Sequence, residues 1–89
     1  MTLDDFTREA QALGYQETLS RSWDPLTVLA THSHPFDARA VVTQGEMWLT
    51  VAGNTQHLQA GDRFEVAHDV PHEERYGPQG ATYWVARRS

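Results

Sequence analysis

The sequence predicts an all-β barrel with one short α-helix at its N-terminal end. Two observations carry that reading. From Tyr15 onward the chain breaks into short extended runs separated by turn residues, the pattern of a sandwich or barrel. Among those runs, His32 and His34 stand two apart, and His72 follows Val70-Pro71 in a similar setting. Side chains at i and i+2 of a strand share a face, so His32 and His34 are expected to project together into one cavity. The barrel is then the device that brings His72 to them.

The helix is read over Thr2 to Leu13. Thr2 can cap it, and Asp4, Asp5 and Glu9 lie toward its positive end. Leu3, Phe6, Ala10 and Leu13 follow helical spacing and make one apolar face, and Gly14 suits the residue after the last turn. It is expected as a lid on the outside of the β body. Residues 1–14 are this helix and residues 15–89 the barrel, one domain overall.

The strands follow in order. Gln16 to Trp23 reads as an edge strand, and Asp24-Pro25 as a turn. Leu26 to His34 reads as a strand with Leu26, Val28, Ala30, His32 and His34 on one face. Pro35 to Asp37 is a turn and Ala38 to Thr43 a strand. Gln44-Gly45 is a tight bend. Glu46 to Val51 alternates, with Met47, Leu49 and Val51 inward and Trp48 and Thr50 outward. Ala52-Gly53-Asn54 is a hairpin turn, with Thr55 to Leu58 as the return strand. After a turn at Gln59 to Asp62, Arg63 to Ala67 is a strand with Phe64 and Val66 on one face. His68 to Pro71 is a loop and His72 to Tyr76 a short strand. Gly77 to Gly80 reads as a turn before a last strand, Ala81 to Arg87.

Composition narrows the function. Seven basic against twelve acidic residues give a net charge of -5, which argues against a nucleic-acid partner. There is no cysteine, so neither a disulfide framework nor a thiolate zinc site is available. No apolar run approaches the length of a membrane span, and no early segment joins a positive start to an apolar run. The expectation is a soluble, cytoplasmic protein without a membrane partner. Three Trp, three Tyr and three Phe supply bulk for a small core.

The stretch from Leu26 to about Trp84 resembles the cupins, small barrels with a double-stranded β-helix fold. Their first motif runs Gly, five residues, His-x-His, three or four residues, Glu, six residues, Gly. Here His32-Ser33-His34 matches the pair and Gly45 the closing Gly. Their second motif runs Gly, five residues, Pro-x-Gly, two residues, His, three residues, Asn. Here Gly61 opens it and His72 falls on its His. There are departures. The family's Glu falls on Ala38, the opening Gly of the first motif on Leu26, and the Pro, Gly and Asn of the second on Ala67, Asp69 and Tyr76. Asp37 adjoins the lost Glu, but strand alternation points it the other way. The resemblance implies the fold, a small-molecule site and a homodimer. The family's four-ligand metal site does not carry over intact.

The candidate metal ligands are therefore His32, His34 and His72. Neutral imidazoles hold zinc, iron, nickel, manganese or copper, and three protein ligands leave positions open for water or substrate. The plainer alternative is that they line a pocket without metal. His57 and His68 read as surface residues. Candidate substrate-binding residues are Arg39, Glu74, Tyr76 and Trp84. Arg39 adjoins the lost Glu, and a guanidinium there could clamp a substrate carboxylate. Glu74 is two residues from His72 and shares its face. Met47, Leu49, Phe64, Val66, Tyr83 and Trp84 read mainly as core, and one or two of them, with Tyr76, are expected to line the cavity. Trp48, facing out, is expected under the helix or at a dimer contact.

Two functions follow from these residues. One is a small metal-binding cupin whose open coordination positions would allow an enzyme acting on a small polar or carboxylate-bearing molecule. The other is a non-catalytic barrel that binds or senses a sugar or small acid. Nothing in the sequence assigns a catalytic residue.

Overall fold

The computed structural model describes residues 1–89. Its elements are α1 (Leu3–Ala12), β1 (Glu17–Trp23), β2 (Val28–His32), β3 (Asp37–Val51), β4 (Asn54–Gln59), β5 (Arg63–Val66) and β6 (His72–Arg88). All strand pairs are antiparallel.

Two long strands organise the barrel. The first half of β3 pairs with β5 and its second half with β4. The first half of β6 pairs with β2 and its second half with β1. β3 and β6 pair with each other along nearly their whole length, from Asp37↔Arg88 to Val51↔His72. Each long strand thus belongs to two sheets at once. One face of the barrel is β1, late β6, early β3 and β5; the other is β2, early β6, late β3 and β4. This double winding is the double-stranded β-helix.

The strand reading needs two corrections here. Gln44-Gly45 is not a turn, and neither is Gly77 to Gly80; both lie inside continuous strands, β3 and β6. The ladder slips between Val42 and Gln44 and again between Gly45 and Met47. These bulges bend the strands around the barrel without ending them. Glycine is required at the bend. A Cβ on Gly45 would lie 2.1 Å from the Gly80 carbonyl oxygen, and one on Gly80 would lie 2.2 Å from that of Trp23. Both also have φ in the left-handed region, +74° and +69°.

Between the sheets lies a core built from Ala38, Ala40, Val42, Met47, Leu49, Leu58, Phe64, Val66, Tyr76, Ala81, Tyr83 and Val85. The alternation expected for Met47, Leu49, Phe64 and Val66 is what packs them there. Trp84 departs from its expected place: it faces away from this core and tilts against Phe6 of the helix at 6.2 Å. In β6 the inward residues are Tyr83 and Val85, so the residue between them must face out.

The helix is capped as its sequence requires. The Thr2 hydroxyl accepts from Asp5 N–H at 3.1 Å, and the Asp5 carboxylate accepts from Thr2 N–H at 2.9 Å. Phe6 and Ala10 are buried on Tyr15, Val41 and Ala86, while Leu3 and Leu13 stay largely exposed. The helix does not cover Trp48. That ring stacks on His57 at 4.7 Å, with the Arg75 guanidinium 4.6 Å from its centroid. No helix is long and apolar enough to cross a membrane.

Candidate metal centre

β2 is shorter than the expected Leu26 to His34 and does not keep one phase. Its register on β6 shifts between Leu29 and His32. Leu29 packs on the core before the shift, and His32 faces the cavity after it. Leu26 lies ahead of the strand, exposed, with φ +62°. Asp69 has φ +60°. The resemblance to the cupin motifs puts a Gly at both positions, and here the backbone takes the left-handed conformation without one.

The register sets His32 directly opposite His72. Their ring centroids are 4.3 Å apart, and His34 lies 5.1 Å from His32 and 4.8 Å from His72. One nitrogen from each of the three rings lies within 4.8 Å of the others, a group able to hold a metal ion. The two facing rings are oriented in the same way. His32 Nδ1 is 2.7 Å from the Ala30 carbonyl and His72 Nδ1 is 3.0 Å from that of Val70. A carbonyl only accepts, so each Nδ1 carries the proton and each Nε2 turns its lone pair inward. His34 stacks on Phe36 at 4.8 Å, and its carbonyl accepts from Asp69 N–H at 2.8 Å. Burial pushes the His34 imidazole below its ordinary pKa, and the neighbouring His72 and His32 act in the same sense. It is therefore neutral near pH 7, the form that ligates.

Glu74 lies beside two of these imidazoles. It is buried, and one carboxylate oxygen lies 3.1 Å from His32 Nε2 and 3.6 Å from His72 Nε2. The other accepts from the Tyr76 hydroxyl at 2.6 Å. Burial, reinforced by Tyr83 and Glu74, pushes the Tyr76 phenol far above its usual range, so it stays a donor. Tyr76 itself stacks on Trp23 at 5.4 Å, and the Trp23 indole N–H donates to Tyr83 at 3.1 Å. This carboxylate lies on the other long strand from Ala38, two residues beyond His72.

The remaining candidates are distributed as follows. Arg39 lies outside the barrel, with its guanidinium 2.7 Å from Glu65 and 3.6 Å from Glu9. Ala38 and Ala40 face inward on β3, which forces Arg39 outward. Tyr76 does not line the cavity and meets its wall through Glu74 and Trp23. Trp84 is on the helix side. Asp37 binds His68 N–H at 2.8 Å and the Arg88 guanidinium at 3.1 Å, away from the imidazoles. His57 pairs with Glu46 and His68 with Asp69, both outside the cluster.

The three imidazoles and Glu74 border a cavity of about 410 Å³ with mainly apolar walls, including Leu29, Phe36, Leu49, Phe64 and Val85. Two arginines that the sequence reading passed over also line it, Arg21 and Arg87. Alternation was the available signal, since Arg21 shares the face of Leu19 and Trp23, and Arg87 that of Tyr83 and Val85.

Among solved structures, the chain superposes on an RmlC-like cupin from Shewanella frigidimarina with a TM-score of 0.69 at 24% identity. The fold is that of a cupin. That alignment covers 81% of this chain and 65% of the Shewanella protein. KdgF from Halomonas sp. matches at TM-score 0.67 and 23% identity over 81% of this chain and 68% of its own. The DMSP lyase DddQ from Ruegeria pomeroyi matches at TM-score 0.74 and 19% identity, over 81% of this chain and 37% of its own. No protein-family model matches the sequence, and no curated protein matches it. The likenesses establish the cupin fold, and this chain spans only about a third to two thirds of these proteins.

Proposed function

We propose that this cupin binds a divalent transition metal through His32, His34 and His72, with Glu74 as a fourth donor, and receives a small organic molecule in the adjoining cavity. The observation that carries the reading is the orientation of the imidazoles: backbone carbonyls hold two Nδ1–H groups so that both Nε2 lone pairs face one point. Three nitrogens and one carboxylate oxygen suit iron, zinc, nickel or manganese. When bound, such an ion supplies Lewis acidity toward an oxygen of the bound molecule. The chain's own part is distinct. Tyr76 holds the Glu74 carboxylate in place, Phe36 backs His34, and the apolar walls exclude water around the bound molecule.

The centre is a candidate catalytic site because it opens onto a cavity and is not closed by protein donors on every side. DddQ, a DMSP lyase, is an enzyme with this fold, but fold alone does not choose a reaction. We also propose the homodimer that the cupin resemblance implies, to be checked by light scattering.

Elemental analysis of the purified protein, with calorimetric titration of the chelated protein, tests the metal. The reading expects about one ion per chain and its loss in His72→Ala. A protein that takes none of these ions, or takes them equally well without His72, contradicts it.

A further inference from the structure

The cavity wall carries two guanidiniums that no carboxylate of the chain pairs. Of the seven arginines, Arg39, Arg63 and Arg88 are in ion pairs. Arg21 and Arg87, the two that line the cavity, make no ion pair and no side-chain hydrogen bond. Arg87 Nε is buried without a partner. Arg39 Nε is buried too, but the other nitrogens of that guanidinium are satisfied by Glu65 and Glu9, whereas those of Arg87 meet no carboxylate. Glu74 is the only carboxylate in the wall; it accepts from the Tyr76 hydroxyl, lies beside the imidazoles and forms no ion pair with either arginine.

Both guanidiniums are also held. Arg87 lies over the Phe36 ring at 4.8 Å and Arg21 over the Trp23 ring at 4.9 Å. Phe36 in turn lies parallel to His34, 4.8 Å away. Arg87, Phe36 and His34 therefore form one connected series running from the guanidinium to the imidazole cluster. Arg21 and Arg87 sit on the same face of the β1–β6 ladder, opposite Tyr83 and Glu17 respectively, with the Leu19↔Val85 pair between them. A guanidinium packed on an aromatic ring keeps its edge free for two parallel hydrogen bonds, the geometry a carboxylate matches. An unpaired buried N–H is costly until such an acceptor arrives.

We propose that Arg87, assisted by Arg21, is an anion anchor, and that the molecule this cavity takes is a small carboxylate with an apolar body. Its carboxylate binds the guanidinium, its body lies against Phe36, Leu49, Phe64 and Val85, and its far end reaches the imidazoles. This rests on reading the cavity as a small-molecule site, but not on a metal being present. Arg39, the arginine that the sequence favoured for this role, is replaced by one on the other long strand.

Nuclear magnetic resonance titration with benzoate and with its neutral counterpart benzamide tests the anchor, using chelated protein so that no ion competes for the carboxylate. The expected result is a shift of the Arg87 Nε–H resonance on adding benzoate, with benzamide binding at least tenfold more weakly. Arg87→Met should weaken benzoate at least tenfold, Arg87→Lys less than Arg87→Met, and Arg39→Met should leave it within twofold. The wild-type resonance needs no variant to fold. Equal binding of the two probes, no binding, or benzoate affinity indifferent to Arg87→Met overturns the proposal. A protein that takes no metal yet binds benzoate through Arg87 sinks the metal reading and leaves the anchor. Benzoate binding that appears only with metal and ignores Arg87 does the reverse.

Discussion

His32 and His72 face each other at one register position of the β2–β6 ladder, and each donates its Nδ1–H to the carbonyl two residues before it. Ala30, on β2, and Val70, in the loop before β6, thus do the same work. Such partners fix both the tautomer and the ring plane, so the pair is ready to coordinate before any ion arrives.

Glu74 should matter to the metal more than to the fold. Glu74→Gln keeps the shape and an acceptor for Tyr76 but removes the charge. Metal affinity should fall by about 10–100-fold. Calorimetric titration measures it, and unchanged affinity would mean the carboxylate is not a donor. Glu74→Ala should in addition lose about 1–3 kcal/mol of stability, because it strands the buried Tyr76 hydroxyl.

The bend of the long strands depends on two glycines in contact. Gly45→Ala forces a Cβ against the Gly80 carbonyl at a left-handed φ and should cost about 3 kcal/mol or more. Gly53 also has positive φ, but open space surrounds its Cβ position, so Gly53→Ala should cost only about 1 kcal/mol. Urea unfolding of the two variants separates steric crowding from backbone conformation.

Leu26 and Asp69 hold left-handed backbone without being glycine. Leu26 is exposed, so little packing is lost by removing its side chain. Leu26→Gly should therefore raise stability by about 0.5–1 kcal/mol, the strain relieved less the added freedom of the unfolded chain. A lower urea midpoint for the variant would show that Leu26 contributes packing that its exposure conceals.

Asp37 ties the turn after His34 to the loop before His72. Its hydrogen bond from His68 N–H, and then that from Arg88, hold its carboxyl below the ordinary value of 3.8. A carboxyl with a depressed folded pKa stabilises the protein above its unfolded value and loses that contribution as pH falls through the folded one. Wild type should thus exceed Asp37→Asn in urea midpoint at neutral pH. The difference should shrink below pH 3.8 and vanish in stronger acid. A difference that persists unchanged into acid would point to hydrogen-bond geometry in place of charge.

Much of this was legible in the chain. The helix, its cap, the Ala52-Gly53 hairpin and the inward set of Met47, Leu49, Phe64 and Val66 follow from spacing. So does the meeting of three histidines, because the motif spacing carries the barrel with it. The two long strands were not legible. Glycine marks both turns and bulges, and only the carbonyl of Gly80 against Gly45 tells which. The phase of β2 was lost for a similar reason, since one bulge after Leu29 resets every later side chain. The choice between Arg39 and Arg87 needed register as well. Nearness in sequence to the lost Glu favoured Arg39, while β6, some fifty residues later, delivers Arg87 to the same cavity beside Ala38.

The central claim is that His32, His34, His72 and Glu74 close on one ion. Anomalous X-ray scattering from crystals grown with iron, zinc, nickel or manganese tests this most directly, with data on both sides of the absorption edge. The account predicts one strong peak between the Nε2 atoms of His32 and His72, within bonding distance of His34 and a Glu74 oxygen. An empty cavity, or a peak held by His57 or His68 on the outside of the barrel, would contradict it.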